Sequence, residues 1–216
     1  MDNSNFHQLI KKKLPISIQT TKASPEFIDN IDNVLTNVLK LKDFIHLHTP
    51  LSFVVRELID NANKANLKRI YFRLSSINMN KPRDYKNGIK NFSVILKQNP
   101  EVIEPYLEKY NMFLKIIFHE YGDSSFLLTI SNNSTIGKDE LTITEDNLKE
   151  SDLSKNERNR IIEKLEFFQQ TGNDEDKVIE ALNNIDAEEG SGLGLMLSLK
   201  MLEKVGIKSN ALTYEL

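Results

Sequence analysis

Cysteine does not occur in the 216 residues. Its absence removes disulfides, thiolate metal sites and thiol nucleophiles together, and it fits a reducing compartment. No apolar run approaches the roughly 20 residues that a membrane helix needs. The first residues lack the apolar core of a secretion signal, since Lys11-Lys12-Lys13 leads straight into a strand-like stretch. Neither sign of charge dominates: 28 basic and 31 acidic side chains leave a formal net charge of −3. A general electrostatic pull toward nucleic-acid phosphates or anionic lipid is therefore missing. These absences point to a soluble cytoplasmic protein whose partners include neither nucleic acid nor membrane.

A hydrophobic fraction of 39% is enough for an ordinary globular core, and the length suits one large domain. Residues 1–13 read as a flexible tail and 14–216 as a single domain. Pro15–Thr21 alternates and is rich in β-branched residues, which predicts a first strand. Ser24 and Pro25 then mark a helix start, as N-cap and first helical residue. Ile28, Ile31, Val34, Leu35, Val38 and Leu39 recur at helical spacing and form its buried face. A second helix is expected from Pro50 to about Asn66, followed by a strand over Leu67–Ser75 centred on Ile70-Tyr71-Phe72.

From about 77 to 111 the pattern breaks around Pro82, Gly88 and Pro100, which predicts an insertion with helices near Tyr85–Lys97 and Val102–Tyr110. Met112–Phe118 and Phe126–Ile130 read as a hairpin turning near Gly122-Asp123-Ser124. The highly charged stretch that follows carries helices expected near Glu157–Gln169 and Glu175–Ile185. A helix from Leu193 to Val205 ends at Gly206, and Ala211–Leu216 is a last strand. The whole is an α+β pattern, a mixed and mostly antiparallel sheet with helices on one face. The last strand leaves a sheet edge that a continuation of the chain or a partner would cover.

Two stretches carry chemistry. On a helix at about 100° per residue, Asn61 falls near 40° and Lys64 near −20° from Glu57, so the three share one polar stripe. Val54, Leu58, Ala65, Leu51, Ala62, Val55 and Ile59 fill the adjoining arc, whereas Arg56, Asp60 and Asn63 lie on the solvated side. The stripe borders the core, where polar groups are costly unless they find partners. An ordinary amphipathic helix edge carries such residues too. Further along, Gly190, Gly192 and Gly194 alternate just before an apolar helix. Missing Cβ atoms let a ligand approach the backbone, and the helix start offers N–H groups and positive dipole to an anion. Alone, this loop reads equally as a hinge. No Gly-Lys-Ser/Thr follows and no strand leads in, which removes the Walker and dinucleotide fingerprints.

Taken together and in this order, Glu57-Leu-Ile-Asp-Asn-Ala-Asn-Lys-Ala65 and Gly190-Ser-Gly-Leu-Gly-Leu195 resemble the asparagine box and second glycine box of the histidine-kinase-like (Bergerat) ATPase superfamily of gyrases, chaperones, histidine kinases and mismatch-repair ATPases. The continuation through Lys200, Glu203 and Gly206 is similar to the histidine-kinase pattern. The resemblance implies a two-layer α/β sandwich with a helical insertion at about 77–111 and a long helical lid at about 134–190. It implies ATP and Mg²⁺ as cofactors, with Asn61 as metal ligand, Lys64 on the phosphates and Glu57 as general base. The loop residues Gly190, Ser191, Gly192, Leu193, Gly194 and Leu195 would cradle the phosphates.

One element departs from the family. The aspartate that receives the adenine amino group is absent, and the equivalent place reads Ser131-Asn132-Asn133-Ser134. Asn132 offers a carbonyl oxygen and an NH₂ group to the base instead, although the same residues suit a plain turn. The layout, a strand followed by a Ser-Pro-Glu helix without an upstream phosphoacceptor helix pair, looks closest to stand-alone anti-sigma-factor serine kinases and to spirochete-type proteins of this superfamily. That implies a protein partner, phosphorylated in trans or sequestered, and is compatible with a homodimer. Two activities stand as expectations: phosphorylation or slow ATP hydrolysis, and nucleotide-dependent regulation without catalysis. Of the histidines, His46 and His48 precede the Glu57 helix; metal binding and phosphoryl acceptance are open to them, and a loop or helix-end role is the expectation.

Overall fold

A computed structural model of the chain describes residues 14–78, 81–121, 125–134, 193–208 and 211–213. Its elements are, in order, β1 (Ile16–Thr20), α1 (Pro25–Leu41), a 3-10 turn (Ile45–Leu47), α2 (His48–Leu74), α3 (Pro82–Gln98), a second 3-10 turn (Pro100–Val102), α4 (Pro105–Lys109), β2 (Leu114–Tyr121), β3 (Ser125–Asn132) and α5 (Leu193–Lys204). The chain divides into two compact units. Met1–His48 and Leu58–Thr135 form one, and Thr49–Glu57 with Ile136–Leu216 form the other. Helix α2 contributes residues to both.

In the first unit the three strands pair antiparallel in the order β1-β2-β3, with Ile16 opposite Phe118, Ile116 opposite Ile130 and Leu114 opposite Asn132. Side chains alternate across a strand. Ile16, Leu114, Ile116 and Phe118 are therefore buried on one face, while Ser17, Gln19, Leu127 and Thr129 of the other are exposed. The architecture is α+β. Helix α1 starts as its sequence dictates: Ser24 Oγ accepts a hydrogen bond from the Phe27 N–H at 3.2 Å, with Pro25 in the first turn. Such a cap contributes about 1 kcal/mol. Phe27, Ile31, Val34, Leu35, Val38 and Leu39 are its buried residues, and Ile28 is only half-buried.

The main departure from the sequence reading is at Leu67–Ser75, which is not a strand. Helix α2 continues through it to Leu74. Ile70, Tyr71 and Phe72 are strand-forming types, yet Leu67, Ile70 and Tyr71 also stand at helical spacing, and burial decided between the two. Leu67, Ile70, Tyr71 and Phe72 join Phe92, Ile103, Leu107 and Met112 in one core cluster. The inserted helices thus supply an apolar jacket that covers this end of α2, including Phe72, which a simple amphipathic stripe leaves outside. Helix α3 lies close against it: a Cβ placed on Gly88 would come within 2.8 Å of Phe72 Cζ, and the Tyr85 ring centroid is 5.7 Å from that of Phe72.

The insertion carries its two expected helices, α3 longer than Tyr85–Lys97 and α4 shorter than Val102–Tyr110, with the 3-10 turn between them. Four helix ends close alike, with the N–H of a residue five positions on returning to the helix: Phe44 to Leu39 at 2.8 Å, Ile77 to Phe72 at 3.0 Å, Met112 to Leu107 at 2.8 Å and Ile207 to Leu202 at 2.9 Å. Each is preceded by a residue with positive φ, namely Asp43, Ser76, Asn111 and Gly206. Gly206 ends α5 as the sequence predicts. Of the expected last strand, Ala211–Thr213 forms no sheet ladder and the remainder lies outside the described residues. The hairpin turn at 122–124 and the helices expected near Glu157–Gln169 and Glu175–Ile185 also lie outside them. In the second unit, Phe53, Val54 and Val55 of α2 and Leu197, Leu199, Met201 and Leu202 of α5 are buried. Among the described residues no helix is long and apolar enough to cross a membrane.

Candidate functional site

The second unit brings parts of both sequence motifs into contact. Gly194, in the first turn of α5, faces Glu57 of α2 so closely that an added Cβ would overlap the Glu57 carboxylate and lie 3.1 Å from its Cγ. A side chain at 194 would have to displace the Glu57 carboxylate, the far end of a flexible side chain. This is a tight approach between residues far apart in sequence, and it is what a glycine in that loop accomplishes. Leu193 opens the helix and Leu195 is half-buried. Gly190, Ser191 and Gly192 lie outside the described residues.

Asn61 follows Glu57 by one helical turn and is exposed; Lys64 is half-buried. The Lys64 ammonium is engaged locally, its Nζ 2.7 Å from Asp60 Oδ2, with the two side chains 41% and 50% exposed. An exposed pair of this kind contributes little to stability. Its consequence is electrostatic, since Asp60 partly offsets the cation that the sequence reading set aside for phosphates.

Asn132, at the end of β3, has a definite role in the first unit. Its Nδ2 donates to the Ala62 carbonyl of α2 at 2.9 Å. Two residues on, Ser134 Oγ donates to the Ala65 carbonyl at 3.1 Å. The segment following the strand is thus strapped along α2. Asn133 completes the arrangement: its Oδ1 accepts from the Phe113 N–H at 2.9 Å, and its Nδ2 donates to the Asn111 carbonyl at 2.9 Å. Asn66, fully buried, donates Nδ2 to the Phe113 carbonyl at 3.0 Å, and Asn63 Oδ1 accepts from the Ala23 N–H at 3.3 Å. Asn66, Asn132 and Asn133, residues that read as base bias and turn chemistry, form a polar lattice that fixes β2 and β3 to α2, and Asn63 ties the segment before α1 to the same helix. Their signal in the sequence was density alone, with Asn61, Asn63 and Asn66 on one helix and Asn132 and Asn133 beyond a strand.

The His46 and His48 expectation agrees with the structure. His46 lies exposed in a 3-10 turn. His48 begins α2 with Nε2 2.9 Å from Thr36 Oγ1 and 3.3 Å from Asp32 Oδ2, tying that start to α1. Both of these contacts fall on Nε2. Among the described residues no group of three or more His, Asp or Glu side chains is placed to hold a metal ion.

A protein of Treponema pallidum (strain Nichols), itself called uncharacterized, is 29% identical over 214 residues, a match covering 97% of this chain and 37% of that protein. The chain spans little more than a third of that relative's length. No protein-family model and no solved structure matches the chain.

Proposed function

We propose that the chain is a Mg-ATP-binding regulatory domain with the histidine-kinase-like (Bergerat) fold, a two-layer sandwich that phosphorylates a partner protein in trans or hydrolyses ATP slowly. The observation that carries this reading is the approach of Glu57 to Gly194. The reading requires the asparagine box and the glycine loop to meet, and a random pairing of a helix edge with a hinge would not place a carboxylate against the glycine backbone.

The residues fit the cofactor. With no Cβ at Gly194 the Glu57 carboxylate lies directly against the glycine, which brings the candidate base to the loop, and an exposed amide at Asn61 suits an ion that prefers oxygen ligands and keeps several waters. In this reading Asn61 holds Mg²⁺, Lys64 and the backbone N–H groups of Gly190, Ser191, Gly192, Leu193, Gly194 and Leu195 hold phosphates, and Asn132 meets the adenine. When bound, Mg-ATP supplies an electrophilic phosphoryl group. Glu57 accepts the proton of the attacking hydroxyl or water, an effect worth about 10²–10⁴ in rate.

Asn132 favours a second reading. One N–H of its amide is committed to Ala62, which leaves its carbonyl oxygen as the group for an adenine amine and weakens base recognition relative to an aspartate. A regulator that binds nucleotide and presents a protein-binding surface in only one nucleotide state needs no turnover. Comparing ATP turnover and nucleotide affinity in the wild type and Glu57→Ala separates the two. The kinase or ATPase reading expects retained binding and a rate loss of about 10²–10⁴. Binding without turnover in either protein leaves the regulator, and absence of binding removes both.

A further inference from the structure

The whole-chain charge of −3 hides a strong segregation. Nine of the 28 basic residues lie between residues 64 and 98, against a single acid, Asp84, while the other 181 residues hold 19 basic and 30 acidic side chains. All of this basic stretch belongs to the first unit, and much of it is displayed by the inserted helix α3.

The helix sorts its residues by chemistry. At about 100° per residue, Tyr85, Gly88, Ile89, Phe92, Ile95 and Leu96 fall on one side. Gly88 and Phe92 are buried there, and the others are partly covered by the core cluster. Opposite them, Lys86, Lys97, Lys90 and Arg83 fall within about 60° of one another, and Asn87, Gln98 and Asn91 occupy the next 40° or so. All seven are exposed. The outward surface is therefore two adjoining rows, one cationic and one of amides, with Val94 alone, 52% exposed, between them, running about 21 Å from Arg83 to Lys97 at 1.5 Å per residue.

Like charges three and four residues apart, as in Arg83, Lys86 and Lys90, repel one another and weaken an isolated helix. Such a row is best accounted for by an anionic partner. The amide row selects among anions. An acidic protein surface would be satisfied by cations alone, and an anionic membrane would call for an apolar row beside them. Cations for phosphates next to amides able to pair with base edges are the combination that duplex DNA presents a use for, and its major groove admits a helix. A-form RNA has a major groove too deep and narrow for one.

We propose that the outward face of α3 docks on duplex DNA, with Arg83, Lys86, Lys90 and Lys97 on phosphates and Asn87, Asn91 and Gln98 at base edges. The site is separate from the Glu57 motif and does not depend on its activity.

Fluorescence anisotropy of the full chain with a labelled 20-base-pair mixed-sequence DNA duplex, across 50–200 mM salt, tests this. Binding should weaken with salt, and Arg83→Gln/Lys86→Gln/Lys90→Gln should reduce the slope of log K against log salt by about 2.7, at about 0.9 per lost phosphate contact. Asn87→Ala/Asn91→Ala should keep the slope and lose discrimination between duplex sequences. Far-UV circular dichroism checks that each variant folds, and the wild-type slope stands as evidence independent of any variant. The proposal is overturned by no duplex binding at 50 mM salt, by an unchanged slope in the triple variant, or by tighter binding to single-stranded RNA, polyglutamate or phosphatidylserine vesicles than to the duplex.

Discussion

Gly194 and Glu57 define each other's space, and a substitution at either is read through the other. Gly194→Ala displaces the Glu57 carboxylate, the far end of a flexible side chain, at a cost set against the roughly 1 kcal/mol of helix propensity that alanine gains. Removing the carboxylate by Glu57→Ala should relieve the clash. A double-mutant cycle by denaturant unfolding should therefore give an interaction energy of at least about 0.5 kcal/mol, in the sense that the double variant is more stable than the sum predicts. Strict additivity would mean that the contact is not made. Asn132 offers a second test. Asn132→Asp restores the residue type usual in the resembling family, but a carboxylate has no N–H for the Ala62 carbonyl that Asn132 now serves. The variant should lose about 1–3 kcal/mol at neutral pH. A protonated carboxyl does have a donor, so the folded pKa should be raised above the unfolded value of about 3.9. The penalty is then absent below the unfolded pKa and complete above the folded one, and unfolding as a function of pH should show stability relative to wild type recovering on acidification.

Helix α2 explains both what the sequence revealed and what it concealed. Its first half was legible because Glu57, Asn61 and Lys64 share a stripe. Its second half was not, because Ile70, Tyr71 and Phe72 are strand formers whose helical state depends on the cover that α3 and α4 provide, and that cover is a long-range fact. Local chemistry was readable wherever it was self-contained, as with the Ser24 cap, the two neighbouring strands β2 and β3 and the Gly206 stop. Ser76 is different, since it holds a left-handed conformation at φ 53° after α2 without the type of residue that normally marks a helix end. Ser76→Gly should relieve that conformation and raise stability by up to about 1 kcal/mol; a loss of stability on thermal unfolding would argue against a helix end there. The junction between α2 and α3 is tight in the opposite sense. Gly88→Ala improves helix propensity by about 1 kcal/mol, yet its Cβ would sit 2.8 Å from the buried Phe72 ring. We expect a net destabilisation in denaturant titration, and Phe72→Ala alone to cost about 3–5 kcal/mol.

The molecule as a whole joins a sheet-and-helix unit, whose asparagines are consumed in holding β2 and β3 to α2, with a unit in which Glu57 meets the start of α5. Spacing placed Glu57, Asn61 and Lys64 on one stripe, but the contacts made by the candidate site residues were not all visible from it. Lys64 is bound to Asp60 and Asn132 to Ala62; helical spacing allows the first, an i,i+4 pair, whereas the second crosses from a strand to a helix and no periodicity announces it. The nucleotide reading rests on one encounter, and it is open to one decisive measurement: thermal unfolding of the wild type and Gly194→Ala with and without Mg-ATP. At 100 times the Kd, bound nucleotide should stabilise the wild type by about 2.7 kcal/mol, and the crowded Gly194→Ala backbone should forfeit most of that gain. No stabilisation of the wild type at millimolar Mg-ATP, or an equal gain in both proteins, would contradict it.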